Sequence, residues 1–211
     1  MPHLWGRLLE TSEHMEKARK VVVNKKRSVH TYAELWHASS CVLNVGVEQP
    51  KGSSWQFLSS ALLTVFAFEA YLNHVGPRTI ECWEQLDRLP PWSKFELLCE
   101  TLDVKFPDGR GARPLQTIVK LLDFRNTIAH GRSLEINTKP VLRDANEQLD
   151  AYLGERPLTD WERLIQTSDF AARAREDVQK ALEFLHAARI DDTEGLFTFG
   201  IGFHGATLAD L

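Results

Sequence analysis

Cysteine is scarce in this 211-residue chain: Cys41, Cys82 and Cys99 stand far apart and form no C-x-x-C pair. That spacing argues against a disulfide framework and against a zinc motif. Reduced, buried thiols in a cytoplasmic setting are the expectation. Positive charge is not in excess either. Lys and Arg number 25 against 29 Asp and Glu, a formal net charge of −4, which argues against a protein that coats nucleic acid through overall charge. A local basic cleft is compatible with the same total. Long apolar runs are also missing. Phe57 to Leu72 is the most apolar stretch, but Ser59, Ser60, Thr64 and Glu69 interrupt it and it falls short of the roughly 20 residues of a membrane span. With no basic segment and apolar h-region at the start, neither export nor a membrane association is expected.

Several catalytic and binding signatures are absent as well. The loop Phe106-Pro107-Asp108-Gly109-Arg110-Gly111 has two glycines, yet no G-x-x-x-x-G-K-[ST] pattern and no preceding strand, so it is not read as a phosphate cradle. His3, His14, His30, His37, His74, His186 and His204 show no H-E-x-x-H or comparable spacing. They read as surface or satisfied core residues, and neither a metal nor a cofactor is expected. No G-x-S-x-G elbow or Cys/His signature points to covalent catalysis.

What is present is helical periodicity. Leu4 to Val23 reads as an amphipathic helix with a basic second half, and Lys17, Arg19, Lys20, Lys25, Lys26 and Arg27 read as a solvated face in preference to an RNA-facing patch. Thr31 to Val45 predicts a second helix, with Ser28 or Thr31 as N-cap. A long core helix starts after Ser53 or Ser54 and stops near Asn73, before Gly76-Pro77. Shorter helices follow over Thr79 to Leu86 and Ser93 to Leu102. Ala145 to Leu153 and Thr159 to Ile190 complete the set, the latter capped by Thr159 or Asp160, with a break at Ser168-Asp169. Gly195 to His204 alternates in a strand-like way and reads as a docking tail. The fold class is therefore all-α: one helical domain over 1–190, with its core at about 53–190, an N-terminal helical extension, and a tail over 191–211.

The stretch Leu121 to Arg132, L-L-D-F-R-N-T-I-A-H-G-R, carries most of the chemistry. Pro114 suits the first turn of this helix and Gly131 its C-cap. At about 100° per residue, Leu115, Ile118, Val119, Leu122 and Ala129 form one apolar stripe, with Asn126 in its middle and His130 a turn on. Leu121, Phe124 and Ile128 form a second stripe opposite. A helix apolar on two sides is wanted in a core or at an interface, so a dimer through this helix is expected. Upstream, Glu69 is the only charge between Phe66 and Leu72, and Asn73 follows four residues later on the same face. A buried carboxylate needs a partner, and Arg125 is the natural one, whether as plain charge satisfaction or as site support.

Arg125-Asn126-Thr127-Ile128-Ala129-His130 resembles the signature of the HEPN domains, an Arg followed by a His after four to six positions. Leu62 to Asn73 looks like the long HEPN helix that carries an acidic residue, and Pro91 to Leu98 looks like the connecting segment. The resemblance covers about Ser53 to Arg132. It implies a HEPN-like helical bundle dimerising through the motif helix, and a metal-independent endoribonuclease, a toxin or defence effector. Arg125, His130 and Asn126 would be catalytic, with Glu69 and Asn73 supporting. RNA, a second copy and an antitoxin or defence protein are the implied partners.

Imidazole titrates near neutrality and can move the proton of a ribose 2′-hydroxyl, while Arg can neutralise a phosphate. Five steps along one helix set Arg125 and His130 about 140° apart, so one regular helix does not aim both at one point; two copies across a dyad could. In the alternatives, Arg125 meets Glu69 and His130 caps the helix end in a structural network of a non-catalytic RNA-, nucleotide- or protein-binding module, or the motif match is accidental. HEPN toxins paired with nucleotidyltransferase antitoxins usually carry Tyr two residues after the His. This chain has Arg132, so regulation through that Tyr is not expected.

Overall fold

The computed structural model describes residues 20–86, 88–139, 156–189 and 194–208. They fall into two units: 29–199, which is helical, and a two-stranded ribbon within 20–28 and 200–208. The helical unit contains α1 (Thr31–Glu48), α2 (Ser54–Thr79), α3 (Pro91–Thr101), α4 (Leu115–Ala129), α5 (Asp160–Leu164) and α6 (Asp169–Ala187). The ribbon pairs β1 (Val21–Arg27) antiparallel with β2 (Gly202–Leu208), Asn24 opposite Gly205.

α2 is the core helix. It packs against α1, α3, α4 and α6, and Val65, Phe68, Tyr71, Leu72 and Val75 are fully buried along it. Each such side chain contributes about 1.5–3 kcal/mol by leaving water. By length and composition α2 could cross a membrane, but half of its apolar window is buried within the bundle, which accounts for that character. The helix runs on through Gly76 and Pro77, where a stop is expected from sequence. Gly76 is there for packing: a Cβ on it would lie 2.1 Å from the Trp83 ring. Trp83 in turn belongs to a short 3₁₀ turn, Trp83–Leu86, that replaces the helix expected from Thr79.

α4 starts after Pro114, which is its N-cap with a cis peptide bond before it. Arg113 ties this start to α6 by donating from Nε to Asp177 at 2.8 Å and from Nη2 at 2.9 Å to both Asp177 and Glu176. Those carboxylates hold the Arg113 guanidinium firmly charged, its proton affinity raised above the ordinary value. At the other end His130, not Gly131, is the C-cap, and its backbone N–H bonds to the Asn126 carbonyl at 2.9 Å. The segment after Thr159 breaks where expected. Thr159 and Glu162 form a capping box on α5, and α6 begins at Asp169.

Two expectations about burial are corrected. Both stripes of α4 are covered within one chain: Leu115, Ile118 and Leu122 are buried, and so are Leu121 and Phe124. The second stripe therefore needs no dimer partner, because the bundle wraps the helix on both sides, leaving Gln116, Lys120, Asp123, Asn126 and Thr127 exposed. Cysteine burial also differs: all three thiols are free, but Cys41 and Cys82 are exposed. Only Cys99 behaves as a core thiol, pushed up to about 12 by burial and then by Glu96.

The ribbon departs from an all-α reading. Val21 to Val23, expected at the end of a helix, lie on β1, where β-branched valines suit a strand. Leu4 to Arg19 and the expected helix Ala145 to Leu153 lie outside the described residues, as do Lys17 and Arg19. Lys25, Lys26 and Arg27 are exposed on β1, and the tail pairs as a strand only from Gly202. Before it, Phe197 stacks on Trp36 in the helical unit, centroids 4.3 Å apart.

Candidate functional site

Arg125 leaves α4 toward α2. Its Nε donates to Glu69 Oε1 at 3.0 Å and its Nη2 to the same oxygen, with the Arg125 and Glu69 side chains 20% and 24% exposed. Such a half-buried fork holds the guanidinium in one orientation. On its other side Arg125 Nη1 donates to Asn126 Oδ1 at 2.8 Å. The Arg125–Glu69 pair expected from sequence is thus formed, and Asn126 is an orienting neighbour of Arg125. Asn126 itself is exposed, not set among apolar residues.

His130 is exposed at the end of α4. Among the described residues its ring has no hydrogen-bond partner, so it does not cap the helix through its side chain. The structure therefore brings Glu69, Arg125 and Asn126 together by hydrogen bonds and leaves His130 one helical turn beyond Asn126, facing solvent. One chain presents the two halves of the motif without joining them.

Asn73 belongs with Glu69, as its spacing implies. Both line a cleft of about 360 Å³ beside Arg125, with Lys94 from α3 and Arg88 from the connecting turn. Lys94 is only 6% exposed; its Nζ donates to Asn73 Oδ1 at 2.9 Å and lies 5.5 Å from the Trp83 ring centroid. Sequence reading missed both Lys94 and Arg88. A lysine inside an apolar pattern, here between Trp92 and Phe95, was the available signal.

The histidines are not all isolated. His30, His74 and His186 converge with Tyr32 and Tyr71: His30 and His74 rings lie 5.0 Å apart, and the Tyr71 hydroxyl donates to His186 Nδ1 at 3.0 Å. His186 Nε2 donates to the Glu194 carbonyl at 2.9 Å and His30 Nδ1 to the Thr198 carbonyl at 2.9 Å. This group holds the 194–199 segment on the bundle. Among the described residues no group of His, Cys, Asp and Glu is arranged to hold a metal.

Comparison of the chain with protein-family models, with curated proteins and with solved structures finds no match.

Proposed function

We propose that this chain is a metal-independent endoribonuclease of HEPN type, whose site is completed when two copies bring the C-terminal ends of α4 together. The observation that carries this reading is the division of labour along α4. Arg125 is pre-oriented by Glu69 and Asn126, while His130 is solvent-facing and unencumbered. In the proposed reaction His130 accepts the proton of a ribose 2′-hydroxyl, the 2′-oxygen attacks the adjacent phosphorus, and the P–O5′ bond breaks as the leaving oxygen takes up a proton. A 2′,3′-cyclic phosphate and a 5′-hydroxyl result. Arg125 of one copy neutralises the phosphate near His130 of the other, and Asn126 steadies it.

The test is cleavage of RNA by purified protein in EDTA. Turnover should persist without divalent metal, leave a cyclic phosphate or its hydrolysis product, and vanish when the 2′-hydroxyl is replaced by hydrogen. Arg125→Ala should lower both binding and rate, because the charge it removes favours the phosphate in ground and transition states alike.

A second reading has its own observation. Arg125 spends two of its nitrogens on one carboxylate, as a structural ion pair would, and a binding module without turnover would show the same pair. RNA binding that survives without any cleavage by the wild type would select it.

A further inference from the structure

We propose that the cleft beside Arg125 is a phosphate-binding subsite in which Lys94 and Arg88 are the recognition cations. It deepens the reading above and rests on it only for the identity of the ligand as a ribonucleotide. Among the described lining residues there are three cations, Arg88, Lys94 and Arg125, and one carboxylate, Glu69. Glu69 is engaged by Arg125 through Oε1, so its charge is already met, and Arg88 and Lys94 make the cleft attractive to an anion.

Lys94 is a built feature of this cleft, not a surface lysine. Its stem is buried, its ammonium is steadied by Asn73, and it stands at the fourth residue of α3. The start of α3 contributes too: Pro90 and Pro91 line the cleft, and the N-terminal end of a helix favours negative charge. Arg88 is exposed and has no ion pair among the described residues, which suits a group that closes on a ligand. Leu72, Leu89 and the two prolines give the opposite wall an apolar character. A phosphate carried on a sugar and base fits this combination better than a bare anion, since each end has a surface to meet.

Isothermal titration of the full chain with inorganic phosphate and with a nucleoside 3′-monophosphate is the test. Both should bind, the nucleotide more tightly. Arg88→Ala, at an exposed position that folding does not need, should weaken the nucleotide at least tenfold, about 1.4 kcal/mol. Lys94→Met, checked for an intact melting transition, should weaken it further. His130→Ala should leave this affinity unchanged, because His130 does not line the cleft. That arm separates the two proposals: a subsite can stand in a protein that cuts nothing, and cleavage can stand without it. Absence of binding by either probe overturns the subsite, as does equal affinity in wild type and Arg88→Ala. Binding of phosphate with no binding of the nucleotide overturns the ribonucleotide assignment.

Discussion

His74 shows how much a single side chain depends on its surroundings. Burial, followed by the cations Arg78, His30 and Arg189, lowers its pKa to about 4, against a smaller opposing effect of Glu194. Tyr32 and Tyr71 fill the rest of its surroundings. The unfolded chain takes up this proton near pH 6.5 and the folded chain only near 4, so the unfolded state binds more protons between those values. His74 therefore contributes stability that is complete above about pH 6.5 and is lost as pH falls toward 4, by at most about 1.4 kcal/mol per pH unit. Denaturant unfolding at about pH 7 and about pH 5 should show a larger loss for wild type than for His74→Gln. Equal losses would contradict this assignment. The cluster was invisible in sequence because His30, His74 and His186 are distant in the chain and follow no ligand spacing; only the packing of α1, α2 and α6 gathers them. Glu69 and Arg125 were legible for the opposite reason: a charge isolated in an apolar helix announces that it needs a partner.

At the scale of elements, the clearest lesson is at Gly76-Pro77. Both residues punctuate helices in general, and a stop there is the natural reading. The chain continues because the Trp83 ring fills the space over Gly76, so tertiary packing prevails over local preference. Gly76→Ala should then destabilise the protein. Overpacking at such a close approach costs up to about 3 kcal/mol, against about 1 kcal/mol recovered by removing a helical glycine, a net loss of about 2 kcal/mol by chemical denaturation. A more stable variant would refute this role for the glycine. Helix α4 teaches a related point. Its two apolar stripes were correctly placed by periodicity, but periodicity does not say whether the covering surface belongs to the same chain. Here it does: Phe124 packs edge-on against Phe170 of α6, centroids 5.2 Å apart.

For the whole molecule, the helical class was legible and the ribbon was not. β1 and β2 are remote in sequence, so neither strand could be inferred from its neighbours; the alternation in the tail was the one hint. The burial of both α4 stripes also changes the form that association takes. The exposed face of α4 is polar, with Ile128 half-buried and Ala129 exposed as the apolar residues nearest the motif. An interface there would be wet and readily reversible. A site shared between two copies then predicts that specific ribonuclease activity rises with protein concentration before reaching a plateau. Activity per chain that stays constant on dilution would contradict a shared site.

The central claim is that His130 moves the proton in a metal-free RNA cleavage, and the most direct test compares wild type with His130→Ala on one RNA in EDTA. His130 is exposed and bonds to no side chain among the described residues, so the substitution should leave the melting temperature unchanged. The cleavage rate should fall by about 10²–10⁴, the range of a positioned acid or base. Cleavage that is equal in both proteins, or absent from the wild type, would contradict the claim.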